Sequence, residues 1–549
     1  MKKRWITALL SVAMIISIFS GCGKGDVPVA EEKKAEQEAT VTEEKEPEAT
    51  EEPAVEEEPE AKRPQPVIAS SYESEMSADG EKYLVSYKNE SLLISEESAK
   101  DFPELYAALN DAMTESDQNM KNDMAQDLEY AQEMYTDFPE NFEYGAWENS
   151  TEITVARADE EVLSAISNFY AYSGGAHGIY GTGGINLETD TGKEITVDMA
   201  FNDKSKLVDM IGKRLREDYP DLTEEFDSFA ADETLASYAK GEYDLYYALE
   251  PCSVSFYFGP YTFASYAAGA QEITFSYDEL AGLINEKYVP QKDLPLVTGS
   301  SHFDIDSDGD LETISSYTYY PDGEEGYARI KVNIDDQEYE LTTDVLGYDL
   351  DQSIARTSGG KVMLLITGTM ENDYRITTVC DVTNGKLKEL DSVWMNSWGR
   401  YDDDDLSHSY TYAWTDPDAM PMSEHMDIMS TYYGEKTYKL GDNGSFTSDD
   451  EYFMIPNFSM PLKTIRDVTA DVINEDGEVL EKDVVIPAGS EFYLYRTDGV
   501  RDEKKDAIID VWLNEKGGKI IRLHFGNEYP HKVNGLDENE LFEMVYYAG

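Results

Sequence analysis

The stretch Ser167-Asn-Phe-Tyr-Ala-Tyr-Ser-Gly-Gly-Ala-His-Gly-Ile-Tyr-Gly-Thr-Gly-Gly184 decides how this chain is read. An aromatic-rich run ends in a cluster of glycines holding one histidine, His177, and then resumes as Ile185-Asn-Leu. Glycines placed this way mean backbone at positive φ or in close approach to a neighbour, and their spacing is too irregular for a flexible linker. Tyr170, Tyr172 and Tyr180 surround the imidazole in sequence. A lone imidazole with no neighbouring carboxylate motif, thiol or second histidine is as a rule a hydrogen-bonding residue that fixes a turn. The loop is therefore expected to form a rigid edge on which Tyr170, Tyr172, His177 and Tyr180 are candidate ligand contacts.

Working outward, residues 67–95 alternate and carry Asp79-Gly80, which predicts a hairpin of two strands. From 102 to 135, Leu105, Leu109, Met113, Met120, Met124, Leu128 and Met134 follow helical spacing, and this stripe is read as core. Strands are expected over 142–157 and 162–172, helices near 205–218 and 231–240, and strands over 253–258 and 271–277, with a closing helix to Lys287. Mixed strands with segregated helices predict an α+β domain over 67–290.

Two motifs frame that domain. The first is Tyr172-Ser-Gly-Gly-Ala-His177, followed by Leu187, Thr191-Gly192 and Ile195-Thr196. The second is Val254-Ser-Phe-Tyr-Phe-Gly-Pro-Tyr261, followed by Tyr266-Ala-Ala-Gly269 and Ile273-Thr274. In this order they resemble the extracellular domain shared by RsiV anti-sigma factors and PdaC deacetylases, over less than half of the chain. The resemblance implies a cell-envelope domain, which in RsiV recognises lysozyme. Two departures qualify it. A lipobox-like segment stands where RsiV has a transmembrane helix, and no cytoplasmic part is expected before it to hold a sigma factor. The deacetylase module that accompanies the domain in PdaC is also missing, with no Thr-Phe-Asp-Asp-Gly-type strand end. The six histidines, His177, His302, His408, His425, His524 and His531, are scattered, and an Asp/His/His metal set leaves no local trace. No catalytic residue is assigned, and the protein is expected not to be an enzyme.

Composition narrows the partners. With 113 acidic against 44 basic residues the net charge is −69, which opposes binding to nucleic acid and favours cationic partners. Lys2, Lys3 and Arg4 precede an apolar run, 6–19, too short to span a bilayer as a helix. Ser20-Gly21-Cys22 looks like a bacterial lipobox, which implies a signal peptide over 1–21 and lipidation of Cys22. The mature chain would then sit on the extracytoplasmic face of a membrane, in a Gram-positive envelope, held stably by its acyl chains. Residues 22–66 are Glu, Ala, Pro, Thr and Val with almost no aromatics. Such a segment cannot offset its chain entropy by burial and is read as a disordered acidic tether, spanning roughly 35–40 Å as a coil.

A second, β-rich domain is expected over 291–456. It opens with Asp304-Ile-Asp-Ser-Asp-Gly-Asp-Leu-Glu312, in which Asp304, Asp306, Asp308 and Glu312 occupy loop positions one, three, five and nine. Asp310 adds a further carboxylate, and Gly309 permits the sharp turn that aims alternate oxygens at one point. A hard Ca²⁺ ion of structural role suits this set, in the manner of the calcium loops between strands of integrin-type β-repeats. An ion-free acidic turn is the alternative. The Asp run 402–405 reads as a solvated face, with a sugar-stacking platform on the tryptophans of 394–453 as the alternative reading of this region. Short punctuated strands over 457–549 predict a small SH3-like barrel. Cys252 and Cys380 could pair, but they fall in different expected domains and are read as lone thiols.

These readings converge on a lipid-anchored envelope protein that binds or senses a ligand, with lysozyme or peptidoglycan as partner. A peptidoglycan-modifying enzyme and a wall-binding structural adaptor are the alternatives.

Overall fold

Residue 66 begins a hairpin whose geometry follows from its alternating sequence. β1 (Pro66–Met76) and β2 (Tyr83–Ile94) pair antiparallel, with Gly80 taking the turn at φ +72°. Helix α1 (Pro103–Asp137) follows, opened by a proline whose missing N–H would have no helical partner. Its Met120, Met124 and Ala131 pack on Leu84, Val85, Tyr87, Phe142 and Trp147, so the methionine stripe is core. The helix carries the chain to β3 (Trp147–Ala158), which runs parallel to β2 with Val85 opposite Trp147. A parallel neighbour requires a crossover of this kind. β4 (Val162–Tyr172) and β5 (Ile179–Glu188) extend the sheet antiparallel.

Helices α2 (Lys204–Asp218) and α3 (Ala231–Lys240) then pack with a three-stranded sheet of β6 (Tyr246–Leu249), β7 (Ser253–Phe258) and β8 (Gln271–Ser276). Asp203 caps α2 by accepting the Lys206 N–H at 2.9 Å. Leu207, Ile211 and Leu215 share one core with Leu235, Phe256, Phe258 and Phe275. β7 is buried at every position because both of its faces are covered. At Gly184 a Cβ would stand 1.7 Å from the Tyr247 carbonyl oxygen, so β5 meets β6 only because that residue is glycine. Asn186 completes the join, donating to Tyr247 O at 2.7 Å and accepting from the Leu249 N–H at 2.8 Å. The closing helix expected before Lys287 does not form. Turns lead instead to a 3-10 turn at Glu286–Tyr288, because Gly282 stands at φ +74°, outside the helical region.

This computed structural model describes residues 62–547 except 143–144, 322–326, 347–349, 371–373, 398, 402–407, 457–459 and 503. The expected signal peptide, Cys22, nearly all of the acidic tether and the Asp run 402–405 lie outside the described residues. Arg63–Gly549 forms one compact unit. It is mostly β-sheet, an α+β region followed by many strands. Among the described residues no helix is long and apolar enough to cross a membrane.

Beyond residue 290 a four-stranded sheet runs from His302–Phe303 to Gln337–Val345, beside a five-stranded sheet centred on the fully buried Val362–Thr369. Strands also pair across the expected domain boundaries at 290/291 and 456/457. His408–Tyr412 adds to the open edge of β1, with Val67 opposite Tyr412, making the first sheet seven-stranded. This covers N–H and C=O groups that an edge would leave unpaired. Met420–Asp427 and Thr431–Leu440 lie in the same 13-stranded sheet as Glu491–Thr497, Asp506–Leu513 and Lys519–Gly526, with Phe453–Met454 joining the two sets. Cys252 and Cys380 are both free.

Candidate functional site: an aromatic edge and an acidic loop

β4 and β5 end at the glycine-histidine loop, where Tyr170 stands opposite Tyr180 and Ala171 opposite Ile179. Gly174 (φ +83°) and Gly175 (φ +110°) turn the chain, and the Tyr172 hydroxyl closes the turn on Gly175 O at 3.1 Å. His177 Nδ1 lies 2.8 Å from Gly178 O, as a turn-fixing imidazole should. Its ring stacks on Tyr266, with centroids 3.8 Å apart and planes 20° apart. Tyr266 also meets Tyr180 edge-on at 5.7 Å and Tyr261 at 5.8 Å. Tyr170 lies over Gly178, where a Cβ would stand 2.5 Å from its Cε2. Tyr170 and Tyr261 remain 37% and 45% exposed, so the cluster faces solvent.

The structure thus brings Tyr170, His177 and Tyr180 together, while Tyr172 braces the loop. It adds Tyr261 and Tyr266, which come from the turns after β7. The Gly259-Pro260-Tyr261 and Tyr266-Ala-Ala-Gly269 signals were visible in the sequence, but nothing local said that they face His177. Burial, then the neighbouring Tyr180, Tyr170 and Tyr261, push the Tyr266 hydroxyl up, so it stays neutral and able to donate. Stacked rings edged with hydroxyls offer π faces and hydrogen bonds to a ligand, and such faces attract lysine and arginine side chains.

The acidic loop connects His302–Phe303 to Glu312–Tyr319, with Phe303 paired to Glu312. Ser307 (φ +64°) and Gly309 (φ +96°) bend it, and the Asp304, Asp306 and Glu312 carboxylates each place an oxygen within 4.8 Å of the others. Asp308 and Asp310 fall outside that triad. The Asp308 carboxylate accepts the Asp310 N–H at 2.9 Å and Asp306 accepts the Asp308 N–H at 3.3 Å, so both shape the turn. Asp304 Oδ1 is buried without a hydrogen-bond partner, and burial pushes the Asp304 carboxyl up. Burial, then repulsion from Asp306, Asp335 and Asp304, raises Glu312 to about 7. An orphaned oxygen among crowded carboxylates fits a hard cation, which would take Asp304, Asp306 and Glu312 as ligands. Among the tryptophans read as a sugar platform, Trp394 is 52% exposed and edge-on to Tyr374, whereas Trp414 is tied to Pro421 O at 2.9 Å.

Residues 26–180 match the family model described as Deacetylase PdaC, and residues 193–278 match that described as Protein of unknown function (DUF3298). Among solved structures the chain is similar to a DUF3298-family member from Bacteroides fragilis, at 16% identity over 41% of this chain and 96% of that one, with a TM-score of 0.32. It is also similar to a DUF3298 family protein from Pseudomonas aeruginosa, at 16% identity over 42% of this chain and 98% of that one, with a TM-score of 0.28. No curated protein matches the chain. The aromatic edge draws on both matched segments, since Tyr170, His177 and Tyr180 end the first and Tyr261 and Tyr266 lie in the second. The chain carries a PdaC-model segment followed by a DUF3298 segment, which fits a PdaC/RsiV-like family.

Proposed function

We propose that this is a non-enzymatic, lipid-anchored envelope protein whose α+β region binds, and by binding senses, a cationic surface ligand, with lysozyme as the concrete candidate. The observation that carries the reading is the convergence of both glycine-aromatic motifs on the His177–Tyr266 stack. The net charge of −69 supports it, because complementary charge speeds the encounter of an acidic receptor with a basic protein. In this reading Cys22 holds the acyl anchor, residues 23–62 act as a tether that ends where Arg63 and Gln65 hydrogen-bond to Pro295 O and Ala413 O, and Ca²⁺ in the 304–312 loop is structural. The test is calorimetric titration of the mature protein with lysozyme. Binding is expected at low salt and should weaken as salt screens the attraction; no heat at low salt overturns it.

The match of residues 26–180 to a model named for a deacetylase favours one second reading, a peptidoglycan-modifying enzyme. Acetate release from purified peptidoglycan by the mature protein is its readout, and release at a catalytic rate would displace the binding-only reading.

A further inference from the structure

Three groups meet where the α+β region joins the strands that follow it. Glu250 lies in the turn between β6 and β7, Glu272 lies on β8, and His302 starts the His302–Phe303 strand. One ligand atom of each lies within 4.8 Å of those of the other two. Glu250 is 1% exposed. Its carboxylate accepts hydrogen bonds from Ser253 at 3.3 Å, Tyr257 at 3.3 Å and Ser300, all hydroxyls. Among the described residues no lysine or arginine pairs with it. A buried carboxylate without a cation is costly to hold ionised, and hydroxyl donors supply no compensating charge. His302 Nδ1 stands 3.7 Å from Glu272 Oε1, too far for a hydrogen bond between them, and its other neighbour is Ser301 Oγ at 3.4 Å.

We propose that Glu250, Glu272 and His302 form a binding site for a divalent transition-metal ion of the zinc class at this seam. One imidazole with two carboxylates is an N/O donor set that suits zinc, whereas the all-oxygen loop at 304–312 suits calcium. Ligand atoms on one tetrahedral ion stand roughly 3.3 Å apart, so a small inward rotation of the half-exposed Glu272 side chain closes the set around the ion. The metal replaces the missing counter-charge of Glu250. It also ties β8 to the His302 strand, where two hydrogen bonds already join β3 to residues 298–299: Thr298 Oγ1 to Ala156 O at 2.6 Å and Gly299 N to Val155 O at 3.1 Å. The fourth ligand position is left to water. The site is independent of the lysozyme reading.

The experiment uses untagged mature protein, stripped with EDTA, returned to excess Ca²⁺, and titrated with ZnCl₂ by calorimetry and thermal melting. One tight equivalent and a raised Tm are expected. His302→Ala and Glu272→Gln should each weaken zinc uptake by roughly tenfold or more, since even residues that only support metal ligands cost that much when removed. Should His302→Ala alter the circular dichroism spectrum, the half-exposed Glu272→Gln decides the matter. No zinc uptake by the native protein, or uptake unchanged by Glu272→Gln, overturns the proposal.

Discussion

His177 and Tyr266, from turns at the ends of two different sheets, stack with ring centroids 3.8 Å apart. The contact joins the loop after β4 to the turn after β7, so the exposed edge is one preformed surface. If that surface binds the ligand, Tyr266→Ala should weaken lysozyme affinity by roughly tenfold or more, as truncation of an aromatic anchor does. His177→Ala should weaken it less, because Tyr180 and Tyr261 still hold Tyr266. Calorimetry on both variants checks the order, and equal affinity to the native chain for Tyr266→Ala removes this edge as the site.

Two glycines separate binding from folding. In Gly178→Ala the three atoms nearest the new methyl all belong to the Tyr170 side chain, which is partly exposed and can turn toward solvent. Affinity should fall while the denaturation midpoint barely moves. In Gly184→Ala the methyl meets the Tyr247 carbonyl 1.7 Å away, and backbone on both sides must shift. A loss of about 3 kcal/mol is expected from overpacking at that contact. Urea denaturation of the two variants should show the contrast.

Chelation tests the acidic loop. Protein already stripped of metal should gain several degrees of Tm on addition of Ca²⁺, because an ion bound only by the native state stabilises by mass action. Asp304→Ala removes the orphaned oxygen and should abolish the difference. Identical melting curves for native protein with and without Ca²⁺ would exclude an ion at this loop.

Arg157 and Asp159 form a buried pair at 2.5 Å, and the same guanidinium donates to Tyr288 O at 2.7 Å and Tyr277 at 3.2 Å. Asp159 in turn accepts the Glu161 and Val162 N–H groups at 3.0 and 2.9 Å. Arg157→Met leaves a buried carboxylate unpaired and should cost about 3–5 kcal/mol. Arg157→Lys should recover only part, since one ammonium cannot reproduce the fork. Chemical denaturation measures both.

Glu188 gives a signed pH dependence. Burial alone would raise its carboxyl, but hydrogen bonds from Lys287, Thr191 and Tyr288 outweigh that and hold it below the usual glutamate range. A depressed native value means stability that is present above the unfolded glutamate value and lost as pH falls through the folded one. Stability measured from pH 6 to pH 3 should therefore fall less steeply in Glu188→Gln than in the native protein. Comparing the two curves cancels the background relief of acidic self-repulsion, and parallel curves would refute the linkage.

Much of the α+β region was legible because its signals are local. Asp79-Gly80 places a turn, the Leu/Met stripe from Leu105 to Met134 places α1, and the helix expected near 205–218 forms as α2. The Gly282 turn was missed because the flanking apolar pattern is equally compatible with a helix. Pairing of His408–Tyr412 with β1 was illegible for another reason. Strand partners are selected by complementary edges across the folded chain, and a single strand carries no record of its neighbour.

The sequence by itself determined the positions where the backbone must bend or approach closely, the alternation that makes strands, the acidic field, and the two motifs that resemble one family. Only the tertiary structure decided that His177 lies on Tyr266, that Asp304, Asp306 and Glu312 converge, and that Glu250 and Glu272 meet His302. Propensity and periodicity act over a turn or a strand, whereas a site is made by side chains that packing brings together from distant segments.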